Sequence, residues 1–573
     1  MILNPELFIP EAILPPQFVA ECLDCGNQFP YSPQTLACPK CGGQWSEARY
    51  DFASLGQSLP ARLSQRPFDL WRYRELLPIH EFNASFCMGE GGTPLVHAAN
   101  LGMMLGCPHI YIKDERQGPT SSFKDRQAAV GIASLKEHGI TEAVLASTGN
   151  VAISYSAYSA RAGIKLWAFL TSLVPAEKMR EVAVYGTQVV KVTASYDQAK
   201  KVAAEFARQR GLCMERGTRT IPSVEAMKTI AFEIIEQFTA VFDLEQRPAP
   251  LLPPPWSVPD WYFQSVSGGL GPLGVLKGFC EFKQMGLTNR IPAIACIQAE
   301  GCAPMVHAWK QHLEVAEPVH SPRTHIATLA TGDPGRTYTL LYQRMQEAGG
   351  FFESVTDEET FRAIHILAKM EGFSVEPAAA VAFAGLIKAV RAGLIQPGDT
   401  IVVNCTGHTM PVEKMILGDG WARSVSVPAQ TLAETPEEGI LAALRGVTAE
   451  RFPRVAIVDD IPEARRLLRR ILQSQGDYTI YEATNGREAI ELAKKELPDL
   501  MILDLMMPEV DGFGVLDALK ADPNTAHIQV VVVTAKELTL QEKERLRGQI
   551  HTLMQKGEFM SDELADEVRA LVK

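Results

Sequence analysis

No apolar run in the 573 residues is long enough to span a bilayer, which takes about twenty apolar residues. Positive charge is in deficit as well. Against 67 Asp and Glu stand 55 Lys and Arg, a formal net charge of −12, and a nucleic-acid surface wants the opposite sign. Met1 to Pro16 lacks a basic segment and carries Glu6 and repeated prolines, so it does not read as a secretory signal. Internal repeats and low-complexity tails are absent. A disulfide framework is missing too: of eleven cysteines, only Cys22, Cys25, Cys38 and Cys41 cluster. Cys87, Cys107, Cys213, Cys280, Cys296, Cys302 and Cys405 are scattered among apolar neighbours and read as small core residues. That usage belongs to a reducing compartment. The expectation is a cytoplasmic protein with neither nucleic acid nor membrane as partner.

What is present is enough chain for several cores. Composition divides it into a cysteine-rich segment (1–50), a body (51–421), a Ser-, Pro- and Glu-rich linker (422–453) with a short helical pattern at Glu437 to Arg445, and a C-terminal module (454–573). The proline-rich run Pro248 to Pro259 reads as a loop inserted within the body, since proline continues neither a helix nor a central strand. The body alternates strand-like runs (Ala143–Ala146, Lys165–Phe169, Gln188–Val192) with helical ones (Ser195–Arg210, Ser223–Val241). This rhythm predicts α/β architecture around largely parallel sheets. The C-terminal module repeats it with short apolar strands at Val455–Val458, Leu500–Leu503 and Val530–Val533.

Cys22-x2-Cys25 and Cys38-x2-Cys41 are separated by twelve residues. Each pair offers two thiolates from one tight turn, and two such turns complete a tetrahedral Zn(II) site. With all four positions cysteine, no coordination position is left open, so the expected role is structural.

Lys124 lies where a polar loop, Pro119-Thr120-Ser121-Ser122-Phe123, turns into a helix beginning near Asp125. An aldehyde cofactor needs one lysine amine held at such a junction. Three segments support the reading. Ala146-Ser147-Thr148-Gly149-Asn150 follows a strand and opens a helix, which suits a carboxylate. Ser265-Val266-Ser267-Gly268-Gly269-Leu270-Gly271 also follows a strand, and its glycines let amides approach a phosphate. Cys405-Thr406-Gly407-His408 follows the strand Thr400 to Asn404 and places a neutral hydroxyl at a strand end.

With Gly89-Glu90-Gly91-Gly92-Thr93-Pro94-Leu95 and Ser122-Phe123-Lys124-Asp125-Arg126, these motifs make roughly Gly89 to Met415 resemble threonine synthase and its relatives among the fold type II pyridoxal-phosphate (PLP) enzymes. The zinc ribbon ahead of the body recurs in some members. The resemblance implies a two-lobed body, commonly dimeric, so a homodimer is expected. It also implies that Lys124 forms the Schiff base and that Asn150 meets the 3′-oxygen of the ring. Gly268, Gly269, Leu270 and Gly271 would then hold the cofactor phosphate. Thr406 would face the ring nitrogen, and Ser147 and Thr148 would receive the substrate carboxylate. A neutral partner at that nitrogen suits elimination and replacement chemistry.

The chain departs from the family pattern Asn-Pro-x-Arg-x-Glu-Gly-Gln-Lys-Thr, reading Thr220-Ile221-Pro222-Ser223-Val224-Glu225-Ala226-Met227-Lys228-Thr229. Ser223 stands where an arginine helps bind the phosphate of O-phosphohomoserine, and a guanidinium is the group best shaped for that dianion. Arg116, Arg126, Arg219 and Arg336 are the candidates to replace it. Gly118 and Ser121 also depart from the common Asn and Gly.

In the C-terminal module, Asp459 and Asp460 end one strand. Asp504 ends another forty-five residues after Asp459, Thr534 a third after thirty more, and Lys556 lies twenty-two beyond that. A parallel sheet brings these strand ends to one edge. Three crowded carboxylates favour a hard divalent cation, and the expectation is Mg(II) held by Asp460 and Asp504, as Asp504 attacks a phosphoryl donor. Thr534 and Lys556 would contact the transferred group. The module closely resembles the receiver domain of two-component response regulators, a doubly wound, flavodoxin-like fold with a five-stranded sheet. That resemblance implies a histidine kinase or phosphotransfer protein as partner. Leu553, where many receivers place a switching Tyr or Phe, and Gly557, where proline is usual, are the departures.

The combined expectation is a PLP-dependent lyase acting on an amino acid with a leaving group at Cγ or Cβ, regulated by phosphorylation of Asp504. O-phosphohomoserine to threonine is one such reaction and β-replacement on an O-phosphoserine-like substrate another. A catalytically silent sensor or scaffold in two-component signalling is the competing class.

Overall fold

The computed structural model describes residues 18–80, 83–147, 149–172, 174, 176–244, 254–408, 423–425, 452–475, 478–536, 538–555 and 561–571. Two compact units, residues 1–447 and 448–573, make up the chain.

The first unit opens with a three-stranded antiparallel sheet in the order Gln28–Phe29, Phe18–Cys22, Ser46–Tyr50. Phe18, Ala20 and Cys22 alternate inward with the exposed Val19 between them, the period of a strand with one covered face. Its last residue anchors it: the Tyr50 hydroxyl donates to Glu225 Oε2 at 3.0 Å.

The body is built on two sheets. The larger runs Gly350–Val355, Ala293–Ala299, Trp261–Ser265, Ile401–Cys405, Ile110–Asp114, Leu95–His97, parallel except at its last pair. Ile110–Asp114 and Ile401–Cys405 are buried along their whole length, as strands covered on both faces must be. The smaller sheet is wholly parallel, in the order Arg423–Val425, Gln188–Val192, Lys165–Thr171, Glu142–Ser147, Cys213–Met214. Arg423–Val425 thus adds an edge strand to the body from a segment whose composition reads as linker. Three residues are too few to show periodicity. The expected helix at Glu437–Arg445 lies outside the described residues, as does the first half of the proline-rich run, 248–253.

Helix boundaries follow local chemistry. Ser195 and Gln198 form a capping box ahead of Tyr196–Arg210, which stops at Gly211 in the left-handed region. Ile221–Leu244 packs closely on Leu270–Gln284 because Gly278 carries no Cβ; one there would lie 2.5 Å from the Lys228 carbonyl. Phe232 stacks on Phe282 beside that contact, with ring centroids 4.2 Å apart. A buried ion network ties helix to sheet. Arg126 donates to Glu115 and Glu233, and Lys113 donates to Glu233 at 2.7 Å. Breaking such a buried network is costly, about 3–5 kcal/mol when one partner is removed.

The second unit is a parallel sheet ordered Thr479–Ala483, Arg454–Val458, Leu500–Leu503, Gln529–Thr534, Thr552–Gln555. In sequence terms this is the 2-1-3-4-5 order of a doubly wound fold. Helices Pro462–Gln475, Gly486–Glu496, Gly512–Ala521, Leu540–Leu546 and Ser561–Leu571 alternate with the strands. Among the described residues no helix is long and apolar enough to cross a membrane. Of the scattered cysteines, Cys107, Cys296, Cys302 and Cys405 are buried, while Cys87, Cys213 and Cys280 are half-buried.

Candidate functional sites

The Sγ atoms of Cys22, Cys25, Cys38 and Cys41 all lie within 4.8 Å of one another. Gly26 and Gly42 take positive φ (68° and 75°), which closes each turn. The amides of Asp24, Lys40 and Gly43 point at Cys22, Cys38 and Cys41 Sγ, each at 3.4 Å. Donors aimed at sulfur stabilise thiolates, so the donor set fits a tetrahedral Zn(II).

A cavity of about 520 Å³ opens between the two sheets of the body, lined among others by Lys124, Ser147, Asn150, Gly268–Gly271 and Thr406. This is ample for a small organic cofactor with its substrate. Lys124 is the first residue of the helix Lys124–Glu137. Burial lowers its amine to about 8, against the pull of Glu215 and Glu376. The loop before it is clasped: Thr120 N–H donates to Asp125 Oδ2 at 2.9 Å, and Ser121 sits in the left-handed region at φ 57°. Phe123 N–H donates to the Thr406 carbonyl at 3.0 Å, tying Lys124 to the end of the strand Ile401–Cys405. Ser147 Oγ accepts the amides of Gly149 (3.0 Å) and Ala152 (3.2 Å) at the head of the helix Asn150–Ala162. Thr148 lies outside the described residues.

Gly269 (φ 91°) is the N-cap of the helix Leu270–Gln284, whose first turn lines the cavity with amides that have no intrahelical acceptor. A Cβ on Gly268 would meet nothing nearer than Thr331 Cγ2 at 3.9 Å, so backbone is open to a ligand there. Ser122 Oγ is buried without a hydrogen-bond partner. Open glycine backbone, a buried orphan hydroxyl and a buried low-pKa lysine fit PLP.

Sequence reasoning missed Lys178 and Glu376. Asn150 Nδ2 donates to Glu376 Oε1 at 2.7 Å, and Lys178 Nζ donates to Asn150 Oδ1 (2.7 Å) and Glu376 Oε2 (2.6 Å). The only local signal was Glu376 preceding Pro377, the first residue of a helix. Gly89–Leu95, by contrast, stands apart from the cavity, its Gly92 amide donating to Glu233 Oε1 at 2.9 Å.

Ser223 does not face the cavity either. It is fully buried and donates to Glu215 Oε2 at 3.0 Å. Of the candidate replacement arginines, Arg126 is held by Glu115 and Glu233. Arg116 is paired with Asp114 and stacked on Phe373, and Arg336 is bound to Asp24. Arg219 lines the cavity, as does Arg216, which the sequence reading passed over.

In the second unit, carboxylate oxygens of Asp459, Asp460 and Asp504 lie within 4.8 Å of one another, Asp459 and Asp504 buried and Asp460 exposed. Asp459 Oδ1 accepts the Ile461 amide (2.9 Å) and Asp504 Oδ1 the Met506 amide (3.1 Å). Thr534 ends the strand Gln529–Thr534 and is buried. Lys556 lies outside the described residues. Leu553 is exposed at 40% on the strand Thr552–Gln555.

Comparison with known proteins agrees with this geometry. Residues 87–407 match the family described as "Pyridoxal-phosphate dependent enzyme", and residues 455–569 match "Response regulator receiver domain". The threonine synthase of Methanocaldococcus jannaschii is 33% identical over 68% of this chain and 91% of its own length. That of Mycobacterium tuberculosis is 31% identical over 64% and 95% respectively. Among solved structures, threonine deaminase isoform 2 from Solanum lycopersicum aligns at 22% identity and TM-score 0.45, covering 56% of this chain and 81% of that one. The chain belongs to the pyridoxal-phosphate dependent enzymes, as a homologue of threonine synthases that carries a C-terminal response regulator receiver domain.

Proposed function

We propose that the body is a lyase of the threonine synthase type, acting on an amino acid with a leaving group at Cγ or Cβ, and that the receiver sets its activity. The observation that carries the first part is Lys124, a buried amine of depressed pKa, facing a glycine-walled cavity. Bound PLP supplies an electron sink conjugated to the substrate's Cα. The Lys124 amine takes and returns the Cα proton, for which a pKa near the working pH is the useful value. Asn150 donates toward the ring oxygen, with Lys178 holding its amide in place. The Thr406 hydroxyl meets the ring nitrogen without charging it, and Gly268–Gly271 receive the cofactor phosphate on backbone amides. Ser147 and Thr148 orient the substrate carboxylate.

Cys22, Cys25, Cys38 and Cys41 hold a structural Zn(II). In the receiver, Asp460 and Asp504 hold Mg(II) with Asp459 beside them, and Asp504 accepts a phosphoryl group from a histidine kinase or phosphotransfer protein while Thr534 and Lys556 contact it. The enzyme works as a homodimer.

The test is phosphate release from O-phosphohomoserine and O-phosphoserine by the full-length, PLP-loaded protein, with Lys124→Ala as blank. Release with threonine formation is expected from the first substrate. Release from O-phosphoserine alone moves the assignment to β-replacement. Silence on both, with the visible absorbance of the lysine-bound cofactor intact, overturns the assignment in favour of an unphosphorylated substrate or a sensor.

A further inference from the structure

Four cations line the described wall of the catalytic cavity: Lys124, Lys200, Arg216 and Arg219. Lys200 is paired with Asp197 at 2.6 Å. Of the carboxylates on the same wall, Glu376 is paired with Lys178, and Asp333 accepts the Gly335 amide. Glu215 sits directly before Arg216, yet its oxygens are taken by Tyr155, Ser223, Gln127 and the Gly217 amide. Burial raises the Glu215 carboxyl against the hydrogen bonds it accepts.

Neither arginine forms an ion pair with a carboxylate among the described residues, and Glu215 pulls on Arg216 only from a distance. Arg216 Nε is buried and has no hydrogen-bond partner. Arg219 donates through Nη1 to Gln44 Oε1 at 3.1 Å, a neutral acceptor from the cysteine ribbon. Burial first, and then the neighbouring Arg219, act against the charge on Arg216, and the pull of Glu215 offsets them only in part. A half-buried guanidinium beside a second, exposed one carries a repulsion that an anion bridging the two relieves. Gly217, Thr218 and Thr220 lie on the same short segment, and Arg216 N–H donates to Thr220 Oγ1 at 3.0 Å, which holds the turn. This segment ends three residues before Ser223, where the family pattern has its arginine.

We propose that Arg216 and Arg219 are the residues that bind a distal dianionic phosphate ester on the substrate, with Gln44 of the cysteine ribbon holding Arg219 toward the cavity. The inference rests on the reading of this cavity as the lyase site. The anion is gripped from the ribbon side of the cavity, and the ribbon becomes part of the specificity machinery, with Trp45 supplying wall beside it. Two forks match the charge and oxygen geometry of a phosphate better than those of a carboxylate. The neutral Ser223 is then explained: a third arginine beside Glu215 would lie behind the segment that already carries two.

The experiment uses full-length, zinc- and PLP-loaded protein as wild type, Arg216→Gln, Arg219→Gln and Gln44→Ala. The readouts are kcat and KM for O-phosphohomoserine and O-phosphoserine, and calorimetric binding of inorganic phosphate. Each arginine variant is expected to raise KM and weaken phosphate binding roughly ten- to hundredfold, the size of one charge-assisted hydrogen bond. KM should move further than kcat, with the cofactor's visible absorbance retained. Gln44→Ala should give a smaller shift in the same direction. Arg219 is exposed, so Arg219→Gln remains informative if Arg216→Gln misfolds. Unchanged KM in a folded Arg219→Gln, with turnover still lost in Lys124→Ala, overturns the inference and leaves the lyase assignment standing. Should wild type turn over neither substrate, the lyase assignment fails. Phosphate binding weakened in the variants would still support the arginine site, and equal binding in all forms would overturn it.

Discussion

Lys178 Nζ lies 2.6 Å from Glu376 Oε2 and 2.7 Å from Asn150 Oδ1, so one ammonium group fixes both the carboxylate and the amide at the cavity floor. An asparagine amide can be flipped, and only a donor at its oxygen forces the NH2 to point where an acceptor will be. Lys178→Met removes that constraint and leaves Glu376 buried without its cation. The expected result is a loss of about 3–5 kcal/mol in stability, seen as a lower Tm, together with weaker PLP binding in a spectrophotometric titration. The double variant Lys178→Met, Glu376→Gln should be more stable than Lys178→Met alone, since no charge is then stranded. Equal stability of the two would show that the ion pair is not the link.

The depressed Lys124 amine makes a second expectation. Its ordinary value of 10.5 falls to about 8 because burial disfavours the charged form. Below about 8 the amine is mostly protonated and not nucleophilic, and above it the neutral amine dominates. The rate at which apoprotein takes up PLP should therefore rise with pH through a midpoint near 8. A midpoint near 10.5 in a stopped-flow pH series would mean that the amine is solvated in the apo state.

The ribbon is joined to the body by side chains at several points: Tyr50 to Glu225 at 3.0 Å, Gln44 to Arg219 at 3.1 Å, and Asp24 to Arg336. Glu225 belongs to a buried cluster with Lys228 and Lys277. Losing the metal should loosen these links and spare the two large sheets. Cys38→Ser or treatment with a strong chelator is expected to release zinc and lower Tm. It should also raise KM for phosphorylated substrates more than it lowers kcat. Zinc content by atomic absorption, followed beside the kinetics, checks this; loss of zinc with unchanged KM would confine the ribbon to a role in stability.

What could be read from sequence was whatever is encoded locally. Gln188–Val192 forms the strand its β-rich run predicts, Ser195 caps the helix that follows, and the two cysteine pairs meet because each turn brings its own two thiolates together. Lys124 announced itself through contiguous neighbours. The unread part is non-local. Lys178 and Glu376 are 198 positions apart, and neither has a local pattern that separates it from an ordinary surface charge. Arg216 was passed over because sequence gives no sign of which arginines are matched. Only the structure shows Arg126 in ion pairs with Glu115 and Glu233, and Arg216 in none among the described residues. The edge strand Arg423–Val425 owes its place to backbone pairing with Gln188–Val192, to which its side chains contribute no period.

The receiver site leads to the last expectation. Asp459, Asp460 and Asp504 crowd their carboxylates within 4.8 Å, an arrangement that is repulsive without a cation and well suited to one with oxygen preference. Full-length protein should take up a phosphoryl group from acetyl phosphate only when Mg(II) is present, and Asp504→Ala should take up none. Uptake undiminished in Asp504→Ala would move the acceptor elsewhere. Whether the signal reaches the enzyme is a separate matter. Leu553 offers neither hydroxyl nor ring at the position where many receivers place a switching aromatic, so coupling through such a ring is not available there. The measurement is kcat and KM for the body's substrate before and after phosphorylation, with Asp504→Ala carried through both treatments. A change confined to the wild type ties the two chemistries together. Identical kinetics in every form, with phosphorylation confirmed by mass, would leave a working receiver whose output goes to a partner protein.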